Sequence, residues 1–516
     1  MARGPAPGHH FPSAPSPVVP LSALAQATPF PTTSIDRTSM KTVAVIGASY
    51  GGNRAAQILS QELPEGWRLV LVDRNSHMNH LYTLPRFAVL PEHGHKAFIP
   101  YTNLLAKPCP DDAPRHVFLH AQVTSLGPHS LTLSRAFPEH GVAEHDRTLH
   151  FDYLVYALGS HLPAPINVWG PVDAEAEKEN PIEHDGTKAK GLQWLERFRA
   201  MIERTNSVLV VGGGALGIQY ATDIAEIWPK KRVTLLHSRK QLLPRFNEAM
   251  HEEIMATLSE MNVKVVLGER LDLSAPAKTV VNEHGVQERV ARTQSGKELQ
   301  AGVVLLCTGQ TPNTGLLRAL LPDAIVPDGP SQNLVRVRRT MQVAVPRVAR
   351  PTLAATPVDA LQDALARASV SEAPAPTADA ADRDAVDVPY PHLFAIGDAA
   401  DAFGAIKAGH TAHYQVGLPG QYFSGTCVLT AGVKAEVAAR NILKLIERET
   451  SRSDAPLELE EYAPGAPAIK LSLGLSQAVY QVQGVVGRKT DVPADLDAPI
   501  MWKYYGLEPT EETMRL

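Results

Sequence analysis

Two stretches of this chain repeat one pattern: a run rich in β-branched residues, a glycine cluster, then helix formers. The first is VAVIGASYGGNRAAQIL, Val43 to Leu59, and the second is SVLVVGGGALGIQYATDIA, Ser207 to Ala225. Each predicts a strand, a tight turn and a helix. A turn of the form G-x-G-x-x-G between strand and helix lets backbone N–H groups and the helix N-terminus face a pyrophosphate. Gly212, Gly214 and Gly217 complete that form, whereas the first loop keeps Gly47 and Gly52 but carries Ser49 between them. The serine Cβ costs some clearance, and its hydroxyl offers a donor to a phosphate oxygen. The first loop is therefore read as a variant phosphate loop. One such match is weak, but two, each set between a strand and a helix, constrain the chain to an α/β architecture with two nucleotide-binding units.

The residue that ends the following strand separates the two loops chemically. RLVLVDRN ends its strand at Asp73, 26 positions after Gly47, where an acid suits the hydroxyls of a ribose. RVTLLHSRKQLLPR ends its strand at His237-Ser238-Arg239 with no acid. An acid repels a 2′-phosphate, while Ser238 and Arg239 would receive one, so the second site leans to NADPH over NADH.

Composition removes other classes. The chain has 516 residues, room for several domains, and a formal charge of −5 with no lysine/arginine block, so a nucleic-acid partner is not expected. Three cysteines, Cys109, Cys307 and Cys427, form no C-x-x-C, so neither a disulfide framework nor a metal cluster is expected. His93 and His95 lie in a polar loop, where solvation is the plainer reading. No run approaches the ~18 apolar residues of a membrane helix, so the fold is expected to be soluble. Residues 1–39, rich in proline, serine and alanine, are expected to be a disordered extension, with Met40 directly before the first strand as an alternative start. Residues 350–388 are Ala/Pro/Asp-biased and are expected to be a flexible insertion.

Three further segments bring a resemblance. FDYLVYALGSHLP (151–163) and GVVLLCTGQTPNTGLL (302–317) are strands running into small-residue turns, and PHLFAIGDAAD (391–401) carries Gly397 and Asp398. In this order, with the two glycine loops, they resemble the ATG-type and distal FAD motifs of the flavoproteins with two dinucleotide-binding domains. The absence of a redox cysteine pair sets the chain apart from the disulfide reductases. GASYGG, LYTLPRFAVLPEHGHKAFIPY, LLHSRKQLLPR, IKAGHTAHYQ and PGAPAIKLSLGLSQAV resemble the apoptosis-inducing-factor-like oxidoreductases, in particular the group with the ferroptosis suppressor and its fungal relatives.

The resemblance implies two Rossmann-like domains, the NAD(P)H domain inserted in the FAD domain, and a small C-terminal α+β domain. The expected bounds are 40–165 and 318–450 for the FAD domain, 166–317 for the NAD(P)H domain and 451–516 for the last. It implies FAD held by Gly47, Ser49, Gly52, Asp73, Arg86, Val123, Ala157, Gly159, Gly397 and Asp398. It implies NAD(P)H held by Gly212, Gly214, Gly217, Ser238, Arg239 and Gly309. Lys407, near a helix N-terminus, would stabilise charge on reduced flavin; a plain surface lysine is the competing role. His80, Tyr82 and Arg86 fall in a segment the family places near the flavin, with core packing as the competing role. Gln219, where relatives often carry glutamate, and Leu158, in place of the ATG threonine, depart from the pattern.

The implied activity passes hydride from NAD(P)H to flavin and electrons on to a quinone-type acceptor. The alternatives are a respiratory type II NADH:quinone reductase, which needs a membrane-surface anchor, and a DNA-binding death effector. Peripheral membrane contact stays open, as does the oligomeric state. The cytoplasm is the expected compartment and the mitochondrion the alternative.

One stretch interrupts the pattern. AIKAGHTAHYQ and AEVAARNILKLIER would join into one helix if Gln415 met Ala435, but VGLPGQYFSGTCVLTAGVK (416–434) stands between them with the helix breakers Gly417, Pro419, Gly420 and Gly425. Its 19 residues correspond to a whole number of codons. The stretch is read as a translated intron, with a surface loop as the alternative.

Overall fold

The computed structural model describes residues 40–105, 115–172, 177–178, 183–276, 278–282, 285–347, 386–404, 429–451, 456–464 and 467–516. Two parallel sheets organise them. The first has five strands in the order Leu393–Ala395, Tyr153–Tyr156, Lys41–Ile46, Trp67–Asp73 and Val117–His120. Val43–Ile46 and Leu69–Leu71 are fully buried, as expected for a parallel sheet covered on both faces. The helix Gly51–Glu62 follows the first glycine loop, and the long helix Leu429–Ser451 packs against it. Arg54 Nε donates to Glu436 Oε1 across that contact at 3.0 Å.

The second sheet has four parallel strands in the order Lys264–Leu267, Arg232–His237, Ser207–Val211 and Val303–Leu306. All its strands fall in sequence between Tyr156 and Leu393, so this unit is inserted in the first. The connections cross at one place. Ser160–His161 pairs antiparallel with Thr311–Pro312, and Asn313 Nδ2 donates to Leu158 O at 2.9 Å. A three-stranded antiparallel sheet, Ile469–Leu473, Gln477–Val482 and Val485–Lys489, follows near the C-terminus. Its Leu471, Leu473 and Val479 share a buried cluster with Ile218, Ala221 and Ile224 of the helix Ala215–Ile227. The fold is thus α/β with two Rossmann-like units and a small α+β C-terminal part.

Some of the expectations above are corrected here, and others lie outside the described residues. Arg86 is fully buried, and its guanidinium is used up within the protein. Nε donates to Asp223 Oδ2 at 2.8 Å, Nη2 to Gly474 O at 2.5 Å, and Nη1 to Leu475 O and Ala494 O at 3.3 Å. It therefore ties the first unit to the second unit's helix and the C-terminal part, and the phosphate role expected for it gives way to a packing role.

Of the stretch 416–434, residues 416–428 lie outside the described residues. Residues 429–434 belong to the helix Leu429–Ser451, which corrects the reading of the whole stretch as a loop. Of the insertion 350–388, residues up to 385 lie outside the described residues, and Val386–Asp387 pairs with Val345–Pro346. Met501, Trp502 and Tyr505 of the C-terminal segment are buried in the fold. Residues 1–39 also lie outside the described residues.

Candidate functional site

The two glycine loops are built alike. Gly47 N donates to Val72 O at 2.8 Å and Gly212 N to Leu236 O at 2.7 Å, so each first glycine extends the parallel ladder by one bond before turning. Both turn through positive φ, +92° and +125°. A Cβ on Gly47 would lie 2.4 Å from Ala157 O, and one on Gly212 would lie 2.1 Å from Cys307 O. The third glycines, Gly52 and Gly217, rest on the first. Gly214, by contrast, has nothing within 4 Å of the Cβ position, which leaves its side of the loop open to a ligand.

Ser49 takes the middle place of the first loop and pairs its hydroxyl with Tyr101 Oη at 3.0 Å. The next residue, Tyr50, caps the helix at φ +41° and is buried. Its Oη accepts from Leu81 N at 3.1 Å and lies 3.2 Å from His80 Nδ1, while Tyr82 meets its ring edge-on at 5.6 Å. The segment around His80 and Tyr82 is thus fastened to the phosphate-type loop. Burial pushes the Tyr50 phenol well above its ordinary range and keeps it a neutral donor and acceptor.

Asp73 Oδ2 accepts from Ala48 N at 2.7 Å and Oδ1 from Asn75 N at 2.8 Å. These bonds fix its direction and leave lone pairs on both oxygens. Burial raises its carboxyl above the usual range, and the two N–H donors oppose that.

Asp73, Ser49, Val123, Ala157, Gly159 and Asp398 line one cavity of 610 Å³. The loop residues Gly47, Leu158 and Gly397 also reach it. Gly159 at φ +58° and Gly397 at φ +72° present open space where a Cβ would sit. The cavity continues past Leu81, Leu84 and Pro85 to Ile166, Trp169 and Trp194, and to Leu216 and Tyr220 of the second unit's helix. Its volume is ordinary for a cofactor site. One end carries open glycines and acids, and the other end is apolar and aromatic. That arrangement fits a flavin dinucleotide: glycine clearance for a pyrophosphate, Asp73 for a ribose, Asp398 for the hydroxylated linker, and room for a flat ring.

At the second loop, His237 Nδ1 accepts from Gly213 N at 3.0 Å and Nε2 lies 3.1 Å from Gln241 O. Burial lowers its pKa, so the imidazole braces the loop in its neutral form. Ser238 and Arg239 are exposed beside it, and Arg239 has no carboxylate partner among the described residues. Gln219 turns away and donates to Ser472 Oγ at 2.9 Å. Gly309 turns at φ +120° with open space around it and hands the chain to Gln310, which lines the cavity. Cys307 is the one cysteine among the described residues. It is buried against Gly212, and burial pushes its thiol far up, so it is no redox thiolate. Lys407 lies outside the described residues. No group of metal-binding side chains occurs among the described residues.

Gln310 is the site residue that sequence reasoning missed. Its Nε2 donates to Asp398 Oδ2 at 3.1 Å. The available signal was its place directly after Gly309 in the second ATG-type turn.

Two dinucleotide-type loops on inserted α/β units, the first lining a cavity that Leu216 and Tyr220 of the second unit's helix also border, are the frame of a two-nucleotide redox fold. The chain belongs to the pyridine nucleotide-disulphide oxidoreductase family, whose pattern matches residues 41–348. It is 40% identical over 482 residues to Fe-regulated protein 8 of Mycosarcoma maydis, covering 92% of this chain and 97% of that protein. It is 24% identical over 471 residues to ferroptosis suppressor protein 1 of Homo sapiens, covering 89% of this chain and 95% of that protein. Among solved structures, the sulfide:quinone oxidoreductase of Aquifex aeolicus shares the fold, with a TM-score of 0.55 at 15% identity over 92% of this chain and 91% of that one. The chain is therefore a flavin-dependent pyridine nucleotide oxidoreductase that works with FAD and NAD(P)H.

Proposed function

We propose that this enzyme takes electrons from NADPH and delivers them to a quinone-type acceptor. The observation that carries the reading is the single cavity, which runs from the first glycine loop to an apolar, aromatic end bordered by the second unit's helix. When bound, the flavin supplies the chemistry, accepting hydride from the nicotinamide and releasing electrons to the acceptor.

The chain's own residues do the rest. Gly47, Ser49 and Gly52 form the loop that takes the FAD pyrophosphate at a helix N-terminus. Asp73 accepts from ribose hydroxyls, and Asp398 from the linker. Val123, Ala157, Gly159 and Gly397 give the close backbone walls. Gly212, Gly214 and Gly217 take the pyrophosphate of the nicotinamide coenzyme, and Gly309 keeps the turn beside it open. Ser238 and Arg239 meet its 2′-phosphate with a hydroxyl and a guanidinium.

Leu81, Leu84, Ile166, Trp169 and Leu216 form an apolar wall suited to a flat, uncharged ring such as a quinone. The only described cysteine is a buried, inert thiol, which suits a direct acceptor better than a thiol relay. Among the described residues no helix is long and apolar enough to cross a membrane. The buried C-terminal aromatics and the charge of −5 favour this reading over an anchored respiratory reductase or a DNA-binding effector.

Steady-state turnover with short-chain quinones and either coenzyme tests the reading. It expects quinone-dependent oxidation with NADPH preferred. Turnover of neither coenzyme with any quinone would contradict it.

A further inference from the structure

Three segments far apart in sequence meet at one carboxylate. Ser160 comes from the first ATG-type turn, Gln310 from the second, and Asp398 from the distal glycine-aspartate turn. Ser160 Oγ donates to Gln310 Oε1 at 2.6 Å and lies 3.5 Å from Asp398 Oδ2. With its oxygen occupied by Ser160, the Gln310 amide must turn its nitrogen to the carboxylate, where Nε2 donates to Asp398 Oδ2 at 3.1 Å. All three residues line the cavity. Ser160 and Gln310 also flank the crossing ribbon, in which Ser160 pairs with Pro312. The orientation of Asp398 is thus set by the strands that join the two units.

We propose that Gln310 is a positioning residue for FAD, holding the Asp398 carboxyl group aimed so that it accepts from the hydroxylated linker of the flavin. The proposal rests on the flavin reading of the cavity. An amide suits the place because it donates to Asp398 and accepts from Ser160 without carrying charge. An acid there would compete with Asp398 for one proton. Among the described residues, Tyr50 on the first loop and Lys434 on the long helix face Asp398 from other elements, and Asp401 faces Lys434 in turn. Burial lowers the Lys434 ammonium to about 8, so its titration stays above the window used below.

The test is FAD affinity of the full-length apo-protein, measured by flavin fluorescence quenching from about pH 5 to about pH 7, a window bracketing a raised carboxyl pKa. Gln310→Glu keeps the shape. When protonated, the introduced carboxyl donates in place of the amide, and when ionised it repels Asp398. Its FAD Kd should rise about tenfold or more from the acid to the neutral end, while the wild type stays level. Gln310→Leu should weaken FAD about ten- to a hundredfold with no slope, as loss of a hydrogen bond to a charged group does. Wild-type affinity in Gln310→Glu at both ends overturns the proposal. Should that variant fail to fold, unchanged affinity in Gln310→Leu overturns it alone. A wild-type chain that takes up no FAD overturns the flavin reading and this proposal together.

Discussion

Gly52 rests on the carbonyl oxygen of Gly47 so closely that a Cβ on it would lie 1.7 Å from that atom, and Gly217 stands in the same relation to Gly212 at 1.9 Å. The third glycine of each loop is therefore demanded by the fold, which lets helix and turn close on each other. At the middle glycine of the second loop, Gly214, a Cβ would meet nothing within 4 Å, so the fold does not demand glycine there, and in the proposed reading the coenzyme does. Gly52→Ala and Gly217→Ala should destabilise the protein by about 1–3 kcal/mol or more, the scale of overpacking. Gly214→Ala should keep the wild-type melting temperature while raising KM for the nicotinamide coenzyme. Thermal melts and coenzyme titrations of the three variants check the contrast.

In the proposed function, Arg239 sets the coenzyme preference. A guanidinium–phosphate contact is worth about 1.5–3 kcal/mol, a factor on the order of ten to a hundred. Arg239→Ala should raise KM for NADPH by that factor and change KM for NADH little. Ser238→Asp should turn the preference to NADH. Equal losses with both coenzymes would place Arg239 in the shared adenosine half or in the fold.

Arg86 holds three parts of the chain at one buried ion pair. Removing it leaves Asp223 charged and unpaired, so Arg86→Met should cost about 3–5 kcal/mol. The double variant Arg86→Met/Asp223→Leu should recover part of that. Urea unfolding of the single and double variants measures both, and additive losses would contradict the pairing.

What could be read in advance was local. The strand–glycine–helix loops, the acid at Asp73 and the small-residue turns at Gly159, Gly309 and Gly397 each draw their geometry from a few adjacent residues. The role of Arg86 was not readable, because its acceptors lie 137 to 408 positions away and no spacing rule connects them. The same holds for Gln310 and Asp398, 88 positions apart. Trp502 and Tyr505 are buried because the C-terminal segment folds back, with Trp502 Nε1 donating to Lys96 O at 3.0 Å, a contact across 406 positions that no local pattern announces. Residues 429–434 follow a glycine- and proline-rich stretch that predicts a break. They are helical in continuity with Ala435.

His116 gives the fold an acid-sensitive contact. Its Nδ1 accepts from Leu69 N at 3.0 Å, and burial, helped by Arg115, pushes its pKa down to about 4 from 6.5. The unfolded chain therefore binds a proton in that interval that the folded chain refuses. Stability should fall as pH drops below about 6.5 and go on falling to about 4. His77, also pushed down to about 4 by burial, acts in the same direction. In His116→Asn the amide oxygen can take the Leu69 N–H without titrating, so part of this slope should vanish in urea melts. An unchanged slope would remove His116 from the account.

The most direct measurement of the central claim is stopped-flow absorbance of the purified flavoprotein in two half-reactions, reduction without oxygen and reoxidation by either a quinone or dissolved oxygen. Mixing with NADPH should bleach the flavin faster and at lower concentration than mixing with NADH. Mixing the bleached enzyme with a short-chain quinone should restore the colour faster than dissolved oxygen does. A flavin that NADPH and NADH leave coloured, or that quinones leave bleached, would contradict the account.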